Sequence, residues 1–248
     1  IASQNVGSGK TVTSVNLALA NGTGTASNYS INSLAADITG RPVSISGSRL
    51  YDSTVTADSS ILTITSGVSG ENLTLTGSGV LGAASVGSQT ITNNNTLAIA
   101  DGTGLASNYT LTGATINVTI LPRTLNVTLS REYDGTTSVS GNSLTPTFDS
   151  LQGGETLALT GTGSISNANV GSSKSVTLGT IALASGTGNP SNYRLNSATM
   201  DVTQKVINLD GIRAYDASTD VLSSDINTFG NIVSGETLTI SGTGSVPD

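Results

Sequence analysis

The densest chemistry in the chain lies in Arg131-Glu132-Tyr133-Asp134-Gly135-Thr136-Thr137, where a guanidinium, a phenol and two carboxylates fall within four positions. Such a group could hold a ligand, offer an aromatic face to a glycan, or pair carboxylates for acid–base work. The same arrangement stands 82 residues earlier as Arg49-Leu50-Tyr51-Asp52 and 82 residues later as Arg213-Ala214-Tyr215-Asp216. Arg41, Arg123 and Lys205 recur in the same way, as do Glu71, Glu155 and Glu236. A set carried by every copy of a repeat points to structural duty, an Arg–carboxylate contact that fixes a strand end or a junction between copies. All six tyrosines occupy two repeat positions, Tyr51, Tyr133 and Tyr215, and Tyr29, Tyr109 and Tyr193, and Phe148 aligns with Phe229. Aromatics placed identically in each copy are expected to be core anchors, with the hydroxyl reaching a backbone partner.

Other chemistries are narrowed by what the chain lacks. It contains no His and no Cys, so Ser-His-Asp and Cys-His sets, disulfides and thiolate or imidazole metal sites are excluded. Gly7-Ser8-Gly9-Lys10-Thr11 resembles the end of a phosphate loop, but the spacing of the glycines fails. Asp37, Asn117 and Asp201 align near the junctions, yet no loop of calcium-binding spacing occurs. Lysine recurs only as Lys10 and Lys174, too sparsely for a Lys–Asn cross-link in every copy. No catalytic, cofactor-binding or metal-binding residue is therefore assigned, no cofactor is expected, and the chain is read as a non-enzyme. A net charge of −7 with only 10% charged residues argues against nucleic acid and against an anionic membrane surface as partners. No apolar run reaches the length of a membrane span, no signal peptide opens the chain, and Ile1 reads as a point inside a longer polypeptide.

The elements that must position these residues are strands. Gly70-Glu71-Asn72-Leu73-Thr74-Leu75-Thr76-Gly77 returns as Gly154-Glu155-Thr156-Leu157-Ala158-Leu159-Thr160-Gly161 and as Gly235-Glu236-Thr237-Leu238-Thr239-Ile240-Ser241-Gly242. Leucine at alternate positions between glycines is the period-2 mark of a half-buried strand. Leu125, Val127 and Leu129 share one parity with Arg123, Arg131 and Tyr133, which predicts Tyr133 on the apolar face with an arginine at each end. The apolar parity switches at Gly113-Ala114 and again between Leu195 and Met200, predicting bulges or tight turns there. A short turn of helix is the most that could form, near Phe148–Leu151. Gly40-Arg41-Pro42, Leu121-Pro122-Arg123 and Gln204-Lys205 mark boundaries, giving complete repeats at 41–122 and 123–204, a C-terminal half-repeat at 1–40 and an N-terminal half-repeat at 205–248. The expected fold is all-β: tandem small β-sandwich modules of about 82 residues, Ig-like or β-grasp-like, with short connections that make an elongated rod.

The ordered set Tyr-Asp-Gly-Thr-Thr (133–137), Gly-Glu-Thr-Leu (154–157), Gly-Thr-Gly-Ser (161–164), Asn-Val-Gly (169–171) and Ser-Asn-Tyr (191–193) resembles the YDG/MBG-type repeat. That repeat is found in the stalks of large bacterial exported proteins, including filamentous-haemagglutinin-like adhesins of two-partner secretion. The sequence departs from the pattern at Ser53 and Ala217, which replace the glycine of the name motif, and at Gly-Glu in place of the common Gly-Asp step. The resemblance implies a surface-exposed or secreted fibre with roles in adhesion or biofilm formation. It makes neighbouring repeats, and other copies in a fibre, the expected partners, with the host or matrix ligand open. The competing expectation is a repeated glycan- or protein-binding module that gains strength through multivalency.

Overall fold

A computed structural model describes residues 3–13 and 16–246. The chain divides at Pro122/Arg123 into two compact units, Ile1–Pro122 and Arg123–Asp248. Both are built from β-strands. Short 3-10 turns such as Ala106–Asn108 and Pro190–Asn192 are the only helical pieces among the described residues.

In the first unit, β1 (Gly7–Thr11) pairs antiparallel with β2 (Ala35–Ile38). A complete repeat follows, with β3 (Arg41–Leu50), β4 (Thr56–Asp58), β5 (Leu62–Thr65), β6 (Leu73–Thr76), β7 (Ser78–Leu81), β8 (Gly87–Gln89), β9 (Ile91–Asn93), β10 (Ala98–Asp101) and β11 (Tyr109–Leu121). Its first and last strands, β3 and β11, lie side by side and parallel. Parallel neighbours need a long crossover, and the body of the repeat is that crossover. The sheet order is β5-β3-β11-β8, the ladder β4-β7-β9 resumes beyond Thr90, and β6 pairs separately with β10.

The second unit repeats this plan with β12 (Arg123–Glu132), β13 (Ser138–Ser140), β14 (Thr147–Phe148), β15 (Leu157–Thr160), β16 (Thr162–Ile165), β17 (Gly171–Thr177), β18 (Ala182–Ser185) and β19 (Tyr193–Thr203). Strands β12 and β19 are again parallel. Because β17 is unbroken where β8 and β9 are two pieces, the order β13-β16-β17-β19-β12-β14 forms one six-stranded sheet, with β15·β18 apart. The unit closes with β20 (Asn208–Gly211) paired to β22 (Ile226–Gly230), and β21 (Asp220–Leu222) paired to β23 (Thr243–Ser245).

Alternation sets the cores. Leu125, Val127 and Leu129 on β12 are buried while their neighbours face out. Val127 and Leu129 meet Val139, Leu159, Ile165, Val176 and Met200 in one cluster. The first unit gathers Val43, Ile45, Leu73, Tyr109 and Ile116, with Leu75 and Ile99 from the β6·β10 ladder packed against them. Each fully buried side chain of this size contributes about 2 kcal/mol.

Both parity switches are structural breaks. On β11, Thr110 faces Pro42 and Thr115 faces Ser44, so four residues span what one residue spans on β3, and Gly113 takes a left-handed φ of 74°. On β19, Asn196 is the extra residue opposite the step from Leu125 to Asn126. No helical turn forms near Phe148–Leu151. Phe148 instead pairs with Val127 in β14, and Asp149 then accepts hydrogen bonds from the Asn126 backbone N–H at 3.1 Å and from its side-chain amide at 2.8 Å. A strand partner on one side and this carboxylate on the other leave the backbone no helical alternative.

Candidate functional site

The repeated Arg-x-Tyr-Asp stretch ends β3 and β12 and runs into a tight turn. In the second unit Arg131 Nη1 lies 3.0 Å from Asp134 Oδ2 and donates to the Thr136 hydroxyl at 3.1 Å and to the Ser138 carbonyl at 2.6 Å, while Nη2 donates to the Thr136 carbonyl. Asp134 Oδ1 accepts from the Thr136 N–H at 2.9 Å, an Asx-turn. The guanidinium fills the loop whose carboxylate holds the turn. Arg49 and Asp52 repeat the clasp, with Asp52 accepting from the Thr54 N–H at 2.9 Å. Arg213 and Asp216 form it a third time at 2.5 Å, with the Ser218 N–H at 3.0 Å.

The electrostatics follow. Burial alone would raise Asp134, but the Thr136 N–H and hydroxyl and the Arg131 charge outweigh it and hold the carboxyl below the ordinary aspartate value. At Asp52 burial is likewise overcome, by the Thr54 N–H, Arg49 and the Thr54 hydroxyl. The Ser218 N–H and Arg213 lower Asp216. The expected Arg–carboxylate contact at a strand end is therefore present in all three copies.

The tyrosines find carboxylates, a partner that reasoning from sequence missed. Tyr193 donates to Glu155 Oε2 at 2.5 Å and accepts from the Gln152 N–H at 3.0 Å. Tyr109 donates to Glu71 Oε2, and Tyr133 to Glu236 Oε1. The bond to Glu71, then burial, raises the Tyr109 hydroxyl; the bond to Glu236, then burial, raises Tyr133. Recurrence of one Glu and two Tyr per repeat was the available signal. The Gly-Thr-Gly motifs serve the same pair: the Thr103 and Thr187 hydroxyls accept from the N–H groups of Asn72 and Thr156 at 2.7 and 2.9 Å. A Cβ at Gly104 or Gly188 would stand 2.6 or 2.9 Å from the Glu71 or Glu155 carboxylate.

Anchoring varies among the tyrosines. Tyr51, Tyr109 and Tyr193 are buried, Tyr133 is half-buried against the second core, and Tyr29 and Tyr215 are exposed. In the complete repeats the N–H at the Tyr51 and Tyr133 position donates to the last strand, at Leu121 O and Thr203 O.

The remaining motifs resolve into backbone support. Gly7–Thr11 is strand β1, and the Gly9 N–H donates to Asp37 Oδ1 at 2.7 Å, which puts a carboxylate where a phosphate loop needs an anion. Asp201 holds the Ser173 N–H in the same way at 2.6 Å. Lys174 Nζ donates to Asn167 Oδ1 at 2.7 Å in an exposed loop. Among the described residues no three His, Cys, Asp or Glu side chains gather as for a metal ion. No helix among them is long and apolar enough to cross a membrane.

Two clefts occupy matching positions. One, of about 470 Å³, is lined in part by Val170, Lys205, Val233, Glu236 and Tyr133. The other, of about 250 Å³, is lined by Val6, Arg41, Val68, Glu71 and Tyr109. Each offers valines, one cation and one glutamate whose carboxylate is already held by a phenol.

Compared with known proteins, the chain matches the family model described as YDG domain twice, over residues 37–117 and 119–200. No curated protein and no solved structure matches it.

Proposed function

We propose that this chain, which belongs to the YDG domain family, is a non-catalytic, repetitive spacer segment of a large bacterial surface or secreted adhesin fibre, supporting adhesion or biofilm formation. Its complete repeats act as small sandwich-like modules in a stiff rod, and their working partners are neighbouring repeats. The observation that carries this reading is how the repeated polar residues are used. Arg131 and Asp134 close on their own turn, and Glu155 and Tyr193 close on each other. Charged groups already bonded to one another have little left to offer a ligand, whereas a spacer needs only its cores and turns maintained. An extracellular or cell-surface location follows from the same reading.

Small-angle scattering of chains with two and three repeats tests it. A rod that lengthens by a constant step per repeat supports the spacer, and a compact or freely jointed particle sinks it. The second reading, a repeated glycan or protein ligand site working through multivalency, is favoured by the recurrence of the valine-lined cleft. Specific retention of one glycan class on an array, lost on Glu236→Gln, would establish that reading in place of the spacer.

A further inference from the structure

Each compact unit contains a joint between successive repeats, and repeated motifs meet there. In the first unit the Asn5-Val6-Gly7 loop, before the boundary at Gly40-Arg41, meets the Ser107-Asn108-Tyr109 turn of the repeat beyond it. Asn108 Oδ1 accepts from the Val6 N–H at 2.9 Å, and the Asn108 amide donates to Asn5 Oδ1 at 3.0 Å. In the second unit the Tyr133-Asp134-Gly135 turn meets the Gly235-Glu236 turn across the boundary at Gln204-Lys205. Tyr133 donates to Glu236 Oε1, and a Cβ on Gly135 would stand 2.8 Å from Val233 Cγ1. Lys205 Nζ, 3.1 Å from Glu132 Oε1, adds an ion pair across the same boundary. The two joints are also lined alike. Val6 shares its cleft with Arg41, Val68 and Glu71, and Val170 shares its own with Lys205, Val233 and Glu236.

We propose that this joint is a recognition surface, and that the partner it fits is another YDG domain. The Asn-Val-Gly loop and the Tyr-Asp-Gly turn of one repeat read the Ser-Asn-Tyr and Gly-Glu turns of the next. Valines form the centre of the contact and the amides, phenol and charges form its rim, which is the anatomy of a protein–protein interface. A neighbour without these turns leaves the Asn5 amide and the Tyr133 phenol without their bonds, and that loss discriminates against it. This assignment rests on neighbouring repeats being the working partners of a spacer, and it names the groups by which they hold each other.

Hydrogen–deuterium exchange of the full chain, read by mass spectrometry, tests the joint itself, whereas scattering reads only how length grows; the two can therefore fail separately. Tyr133→Phe keeps the ring and loses the hydroxyl. In that variant the β20·β22 ladder and the Gly235-Glu236 turn should exchange about tenfold faster, while β12 and β19 keep their rates. Glu236→Ala should act in the same way, and the double variant should exchange no faster than either single one, because both remove one contact. Asn108→Ala should speed exchange in the β1·β2 ladder and spare β3, with Asn5→Ala adding nothing further. Unchanged exchange across the boundary in either joint overturns the proposal, as do additive effects in the double variants. Faster exchange that spreads through β12 and β19 also overturns it, since Tyr133 would then serve the fold of its own repeat.

Discussion

At the scale of single residues, the turn after each Arg-x-Tyr-Asp stretch poses a conformational demand that only one copy meets well. The residue after the aspartate is left-handed in all three, with φ of 64° at Ser53, 76° at Gly135 and 59° at Ala217. A side chain there crowds its own carbonyl, whereas glycine does not, although glycine brings a more flexible unfolded state. The net of these effects is about 0.5–1 kcal/mol. Ser53→Gly is therefore expected to raise stability by that amount, read as a shift of the denaturant midpoint at constant slope. Gly135→Ala should lose more than Ser53→Gly gains, because its new Cβ would also stand 2.8 Å from Val233 Cγ1. A destabilised Ser53→Gly would mean that the serine hydroxyl, and not the turn geometry, decides the position.

Among the elements, the strands β15 and β6 are bounded by glycines that look alike in sequence and differ in what surrounds them. Gly161 has φ +81° and a Cβ there would stand 2.1 Å from the Thr180 carbonyl; Gly154 has φ +72° and open space. Gly161→Ala combines a left-handed residue with a backbone collision and should cost about 3 kcal/mol. Gly154→Ala meets the first penalty alone, about 1 kcal/mol. Thermal unfolding of the two variants side by side checks the difference, and equal losses would show that the collision is relieved by a small backbone shift. The same contrast explains what was legible beforehand. Strand parity at Leu125–Tyr133 and the breaks at Gly113 and Asn196 are local, period-2 features, so they could be read residue by residue. The Glu155–Tyr193 bond joins positions 38 apart and depends on which strands become neighbours. Phe148 packs against the core as its recurrence implies, but its pairing with Val127 lies across the sheet, and local pattern says nothing of it.

Over the whole molecule, the repeat multiplies small electrostatic effects into a pH response with two limbs. Asp52, Asp134 and Asp216 are all held below their unfolded value of 3.8 by turn N–H groups and arginine, which together outweigh burial. A lowered carboxyl contributes stability that is present above pH 3.8 and is lost as pH falls through the folded value, since the unfolded chain then binds protons first. Tyr109 and Tyr133 are raised above 10.0 by their glutamate partners. A raised phenol contributes stability that is whole below pH 10.0 and drains away as pH rises through the folded value, since the unfolded chain then releases protons first. The melting temperature should therefore be level from the upper carboxylate range to the tyrosine range and fall at both ends. Asp134→Asn should flatten the acid limb of the second unit while lowering the plateau, and Tyr109→Phe with Tyr133→Phe should flatten the alkaline limb. An alkaline fall that is unchanged in the double phenylalanine variant would show that the phenol–carboxylate bonds have no part in holding the repeats together.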